Sequence, residues 1–510
     1  MKKRILSSLF ALTFALPSLA LFSGCSSGKT ITLRVYNWEE YIDEGGEDSY
    51  LYDENENPDP DGVVTDFENW YEETYGTAVR VEYSTFGTNE DLYNQLKLGD
   101  KYDLICPSEY MIMKLAAEGM IEPFGEEFFD ETQPHNYYIQ NVSPFIKDVF
   151  DNGKVTIDGQ EHSWSEYAAG YMWGTTGIVY NPALINTEDL QQGWKILLDP
   201  KYKGKVTTKD NVRDSYFVGL GIVYQDELRA LDINDPDYNQ KITEIMNYTE
   251  KDMYGENVVE KVKNVLLKMK ENIFGFETDT GKNDMMTGKI SMNFAWGGDA
   301  VYAMNEAEEK RGVTLCYSIP EECTNLFFDG WAIPKDEKRD PEVKKAAQAF
   351  ANFLARPDVA VRNMDYIGYS SVIAGNEEYD DIRAYIEENY TVEEDAEDAV
   401  LYDISYFFGE ETLVPIAEEQ LDRQFFALYP TEEVMQRCAV MDYYGAAEAG
   451  INEMWTKIKG ETLDAWAIIV IAVTAAAIVA FILVKKVGHK IELPRKPKKG
   501  YTLVKQEELR

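Results

Sequence analysis

The chain has 510 residues and a formal net charge of −42, with 91 Asp and Glu against 49 Lys and Arg. That balance excludes nucleic acid as a partner, because a phosphate backbone is held by Lys and Arg that displace its counterions. It favours cationic ligands, which an acidic surface steers inward, while acidity also serves plain solubility.

Residues 1–25 carry Lys2, Lys3 and Arg4, then an apolar run, then small residues before Cys25. This is the pattern of a secretory signal. Phe22-Ser23-Gly24-Cys25 resembles a bacterial lipobox, with Phe22 where Leu is usual, so Cys25 is the expected lipidation site. The globular part follows. "ITLRVY" reads as a strand and ends at Trp38, Glu39, Glu40 and Tyr41. "TDFENWYEETYG" reads as a helix capped by Thr65 or Asp66 and stopped by Gly76. "AVRVEYS" is a second strand. Asn89 is expected to cap the helix "EDLYNQLKLG", "YDLICPS" to form a short buried strand, and "EYMIMKLAAEGM" to form the next helix, with Ser108 as a possible N-cap. Strand and helix in alternation predict an α/β fold with a mostly parallel sheet. Further on, Asp340 and Pro341 start a helix that must end before Pro357, with Val343, Ala347, Phe350 and Leu354 as its core stripe.

Two stretches read as insertions, 45–62 and 376–428. In the first, Asp53, Asn55, Asn57, Asp59 and Asp61 have the spacing of a calcium loop, but Pro58 stands where the turn glycine is needed. Cys106, Cys316, Cys323 and Cys438 form no C-x-x-C pair, and His is nearly absent, which argues against zinc. Cys316 and Cys323 are compatible with a local disulfide or with free thiols. At the end, residues 466–484 are apolar without a charge and reach roughly 28 Å as a helix, enough for a bilayer core. Lys485 and Lys486 open a basic tail, 485–510, which marks that end as cytoplasmic. The bulk of the chain is therefore expected outside the cell membrane, anchored at both ends.

In open α/β sheets, ligands sit beyond the carboxyl ends of the strands. Acids and aromatics recur there: Trp38, Glu39, Glu40 and Tyr41; Ser108 and Tyr110; Trp296 and Asp299; Phe327 and Asp329. Ammonium groups have donors and no acceptor, so they seek carboxylates and hydroxyls. Methylene links and the cation both suit aromatic faces. A flexible polyammonium ligand fits this chemistry.

The chain resembles the spermidine/putrescine-binding proteins of bacterial ABC transporters. The resemblance is carried in order by "YNWEEYI", "YSTFGTNEDLYNQL", "YDLICPSEYMIMKLAAEGMI", "GYMWGTTGIVYN", "YKGKVTTKDNVRDSYF", "NFAWGGDAVYA", "FFDGWAIP", "FLARPDVA" and "YIGYSS". It implies a two-lobe, type II periplasmic-binding-protein-like fold with an interlobe ligand cleft. The lobes would be 30–174 with 328–378, and 175–327 with 379–460. It also implies that Trp38, Glu39, Glu40, Tyr41, Ser108 and Tyr110 line the first side. Asp214 would be a carboxylate of the second lobe. Trp296 would stack on methylenes, Asp299 and Asp329 would grip ammonium groups, Phe327 would be an aromatic wall, and Tyr369 would close over the ligand. Asn211 stands where the spermidine type tends to have an acid. The expected role is non-catalytic capture of putrescine or spermidine by a monomer. It would need no cofactor or metal, and would deliver to an ABC permease driven by a separate ATPase, since no G-x-x-x-x-G-K-[ST] occurs here.

Three alternatives share parts of this evidence. The same fold could hold another cation, either another organic amine or ferric iron, the latter through phenols such as the adjacent Tyr443 and Tyr444. A sensor or co-receptor would need a partner, because the tail is short. An exported enzyme lacks support, since no H-E-x-x-H or Cys/His pair is present.

Overall fold

A computed structural model describes residues 30–46, 49–51, 58–278, 280–393 and 395–460. Cys25, the apolar run 466–484 and the basic tail lie outside the described residues. Among the described residues, no helix is long and apolar enough to cross a membrane.

The chain opens as its pattern predicts. Strand β1 (Ile31–Trp38), helix α1 (Val63–Tyr75), strand β2 (Val79–Phe86), helix α2 (Asn89–Leu98), strand β3 (Leu104–Ile105) and helix α3 (Glu109–Ala117) follow in order. β1 pairs in parallel with both β2 and β3. Two boundaries differ from expectation. Gly62, not Thr65 or Asp66, precedes α1, and Thr88, not Asn89, caps α2 by accepting from the Asp91 amide. Asn89 is buried instead and serves the site described below.

The main sheet has 12 strands. Its path runs β2, β1, β3, then the long strands Thr324–Pro334 and Ala168–Tyr180, then Met292–Trp296, Val206–Lys209 and Gly275–Glu277. The two long strands are antiparallel to each other. The flanks beyond them are parallel: β1 with β2 and β3 on one side, and Met292–Trp296 with Val206–Lys209 and Gly275–Glu277 on the other. The long strands thus join two parallel sets. Their register shifts between Asp329 and Gly330. Such a bulge re-aims side chains and is common beside functional sites.

The helix Pro341–Leu354 starts on Asp340, whose carboxylate accepts from the Glu342 amide. Its Ala347, Phe350 and Leu354 are buried, and Phe350 meets Phe67 of α1 edge-on at 4.8 Å. The described part of the first insertion is tied down by charge. Arg362, buried in the helix Pro357–Ile367, donates to Asp43 at 2.6 Å, to Asp66 at 2.5 Å and to the Asp61 carbonyl at 2.8 Å. Asp53, Asn55 and Asn57 of the calcium-like spacing lie outside the described residues; Asp43 and Asp66, which flank the insertion, converge on the guanidinium, and no metal-ligand cluster forms among the described residues. The second insertion carries the helix Asp381–Tyr390 and a hairpin, Ala399–Asp403 with Leu413–Ala417. Phe407 stacks on Trp173 of a central strand with ring centroids 5.6 Å apart, and the Ser370 hydroxyl donates to the Leu428 carbonyl at 2.7 Å. This segment is part of the core packing. The four described cysteines are free and buried, so no disulfide joins Cys316 and Cys323.

Breaking one partner of a buried ion pair costs about 3–5 kcal/mol, because a charge is left unpaired. Arg362→Met should lower stability by that order, through the buried Asp43 carboxylate. Thermal unfolding of the ligand-free protein measures it; a midpoint within a degree or two of wild type would show that the Asp43–Arg362 pair does not hold the loop.

Candidate functional site

Asp329 lies at the bulge in the long strand, buried among aromatic rings. One carboxylate oxygen accepts from the Tyr41 hydroxyl at 2.7 Å, and the other accepts from the Ser108 hydroxyl at 2.7 Å. Tyr41 reaches it from the loop after β1, and Ser108 from the end of β3. Ser108 occupies the N-cap position of α3, yet its side chain makes no cap bond. Asn89 holds it from both sides: its carbonyl accepts from the Ser108 amide at 3.1 Å and its amide donates to the Ser108 hydroxyl at 3.0 Å. Tyr41 is in turn fixed by the Tyr171 hydroxyl, which donates to its carbonyl at 2.8 Å.

Around this carboxylate stand aromatic side chains. Tyr41 meets Tyr171 and Tyr369 edge-on at 5.6 and 5.3 Å, and Phe327 meets Tyr369 at 6.1 Å. Trp38, half-buried, leans on Phe86 at 4.6 Å. Gly298 is required here: a Cβ would lie 1.9 Å from the Tyr369 ring. Burial pushes the Asp329 carboxyl up to about 6, against the pull of the Tyr41 and Ser108 hydroxyls and the Trp38 indole. No Lys or Arg among the described residues pairs with it. The structure brings Trp38, Tyr41, Ser108, Phe327, Asp329 and Tyr369 together. Glu39 and Glu40 lie outside this group, exposed at the tip of the loop, with Glu40 in the left-handed region at φ 52.

Asp214, Trp296 and Asp299 form a second group. Asp299 is in the first turn of the helix Gly297–Arg311, where a carboxylate complements the helix dipole. Trp296 ends the strand before it. Asp214 is in the first turn of the helix Val212–Val223, capped by Asn211, which accepts from the Arg213 and Asp214 amides. Tyr369 links the groups, since its hydroxyl donates to Asp299 at 3.3 Å. Burial pushes the Asp214 carboxyl up to about 7, although Lys209, the Trp296 indole and Arg213 pull the other way.

Sequence reasoning missed the cations of this second group. Lys209, buried at the end of a strand, places its ammonium 2.9 Å from Asp299, 3.5 Å from Glu277 and 4.4 Å from the Trp296 ring centre. Lys282 lies 3.7 Å from the other Asp299 oxygen. Burial disfavours charge on Asp299, but Lys209 and Lys282 outweigh it and hold the carboxyl below its usual range. Arg213 lies 4.4 Å over the Tyr110 ring and 3.6 Å over Tyr444. Tyr110 thus faces a protein cation, and its hydroxyl is bonded to Asn89 and Glu90. Tyr443 likewise faces Lys114 at 5.1 Å, so both rings of this phenol pair lie against protein cations. Lys209 and Arg213 were visible in "TTKDNVRDSYF", but an alternating polar stretch does not reveal which side chain turns inward. Glu109 was also unremarked. Its carboxyl accepts from the Phe328 amide at 3.1 Å, and burial pushes it up to about 8, which favours the neutral acid.

A carboxyl that titrates near 6 instead of 3.8 carries a cost of roughly 3 kcal/mol when ionised. Because the folded value is the higher one, this cost is absent below about pH 4, grows as pH rises, and is complete above about 6. Ligand-free Asp329→Asn protein should therefore be more stable than wild type at pH 7.5, by up to that amount. The difference should vanish near pH 4. Chemical denaturation at the two pH values tests this, and an Asn variant that is weaker at both would show that the carboxylate is already satisfied.

Residues 63–388 match the family described as bacterial extracellular solute-binding protein. The putrescine-binding periplasmic protein PotF of Escherichia coli K12 is 27% identical over 362 residues, covering 69% of this chain and 81% of that protein. The spermidine/putrescine-binding periplasmic protein of the same organism is 28% identical over 341 residues, covering 66% and 76%. Among solved structures, the spermidine/putrescine transporter substrate-binding protein PotD of Streptococcus pneumoniae aligns with a TM-score of 0.52 at 23% identity, over 84% of this chain and 98% of that one. That likeness establishes an α/β periplasmic-binding-protein-like fold.

Proposed function

The chain belongs to the bacterial extracellular solute-binding protein family, and from that premise we propose that its solute is a polyamine, held in a cleft between two lobes. It is a binding protein and not an enzyme. The lobes would be 30–174 with 328–378, and 175–327 with 379–460. Two parallel strand sets on either side of a pair of long crossing strands support this division.

One observation carries the choice of ligand. The Asp329 carboxylate is buried, accepts from the neutral hydroxyls of Tyr41 and Ser108, has no Lys or Arg partner among the described residues, and has Trp38, Tyr41, Phe327 and Tyr369 around it. An ammonium brought there gains a charge-assisted bond of about 1.5–3 kcal/mol and aromatic faces worth about 0.5–2 kcal/mol. An anion would meet a like charge. Asp214, a second buried carboxylate without a close ion pair among the described residues, would take the second ammonium, with Trp296 against the methylenes. The names of the relatives, putrescine-binding and spermidine/putrescine-binding, agree with this chemistry.

The cargo would pass to an ABC permease powered by a separate ATPase. Lipidation at Cys25 and a membrane span at 466–484, both outside the described residues, would keep the receptor beside it at high effective concentration. Deleting residues 466–510 should slow polyamine uptake by cells; unchanged uptake would leave the span without this role.

Calorimetric titration of the full-length chain in detergent should show micromolar or tighter binding of putrescine or spermidine, lost in Asp329→Asn. The pH dependence follows from the two raised carboxyls, Asp329 near 6 and Asp214 near 7. A bound ammonium needs them ionised, so affinity should be full above pH 7.5 and fall at least about tenfold by pH 5. Binding at pH 6.5 should release protons, read from the dependence of the heat on buffer ionisation. Affinity that rises on acidification, or proton uptake, would contradict the assignment.

A further inference from the structure

Lys209 stands where a ligand amine would be expected. The strand Val206–Lys209 lies between Met292–Trp296 and Gly275–Glu277, and Lys209 is directly opposite Glu277 in that ladder. Its side chain is buried, and its ammonium donates to the Thr278 carbonyl at 3.2 Å and to Asp299 at 2.9 Å. It also lies over Trp296 at 4.4 Å. A carboxylate, a carbonyl and an indole face are the groups that hold an alkylammonium ion. Both Asp299 oxygens are engaged, one by Lys209 and the other by Tyr369 and Lys282. Of the three aspartates at the site, Asp214 and Asp329 are buried and Asp299 is partly buried. Of these three aspartates, only Asp299 is ion-paired among the described residues.

We propose that Lys209 acts as a built-in substitute for one ligand ammonium, so that the site selects diamines over longer polyamines. The inference rests on the polyamine reading and narrows it. Two carboxylates, Asp214 and Asp329, remain for two ligand charges. A triamine brings a third ammonium toward a subsite already filled by a like charge, and it must displace Lys209 or leave that amine without an acidic partner. Lys209 is held by an opposed strand pair and two carboxylates, so displacement is opposed by the fold. It is a specificity-determining residue and has no part in chemistry.

The test is titration of the full-length chain in detergent with putrescine and with spermidine. Wild type should bind putrescine at least tenfold more tightly. Lys209→Arg keeps the cation and should keep that preference. Lys209→Met removes the charge at similar length, and spermidine should gain at least tenfold relative to putrescine. Since Met leaves Asp299 and Glu277 without their shared cation, Lys209→Gln, which retains a donor, is measured beside it, and the wild-type ratio is read in any case. Equal affinity of wild type for the two amines would overturn the proposal. So would neutral variants that fold but weaken both amines by one common factor, the mark of a structural role. Wild type that binds neither amine would remove the polyamine reading as well, which separates that failure from the first two.

Discussion

A carboxylate taken out of water must be paired or must give up its charge. Asp329 does neither completely. Its two oxygens rest on the hydroxyls of Tyr41 and Ser108, which orient it without neutralising it. Much of the surrounding structure maintains that condition. Tyr171 fixes Tyr41, Asn89 fixes Ser108, and Tyr369 packs against Tyr41 because Gly298 leaves room for its ring. The proposed affinity for a cation is the relief of this arrangement.

The sheet explains how residues so far apart in sequence meet. Two long antiparallel strands carry the chain between a parallel set built on β1 and a second built on Val206–Lys209. Asp329 sits at the bulge of one long strand, while Tyr41 and Ser108 come from loops of the first set. Asp214, Trp296 and Asp299 come from the second. Rigidity is supplied at the periphery. Arg362 gathers Asp43 and Asp66, and the segment 376–428 braces Trp173 through Phe407.

Electrostatics at the site differ in kind from those of the surface. The chain as a whole is strongly acidic, yet the interior of the second group is nearly balanced. Lys209 and Lys282 meet Asp299, Lys209 also meets Glu277, Arg213 lies against two phenols, and burial favours the neutral form of Glu109. In the proposed reading, net charge governs the approach of a cation, and the local pairing governs how many charges can stay.

The sequence by itself determined the alternation of strands and helices from β1 to α3, because hydrophobic period and turn residues act over a few neighbours. It also determined the helix after Asp340, and it placed acids and aromatics at the exits of independent strands. What it could not determine is which of those residues turn inward. Glu39 and Glu40 share a loop with Tyr41, yet they face solvent while Tyr41 is buried. Asn89 leaves the capping role to Thr88 and holds Ser108 instead. Lys209 enters the site from a polar stretch in which no pattern marks the inward side chain. These outcomes depend on contacts between residues about 20 to nearly 300 positions apart. Such contacts exist only once the two strand sets have been brought together, so only the tertiary structure decided them.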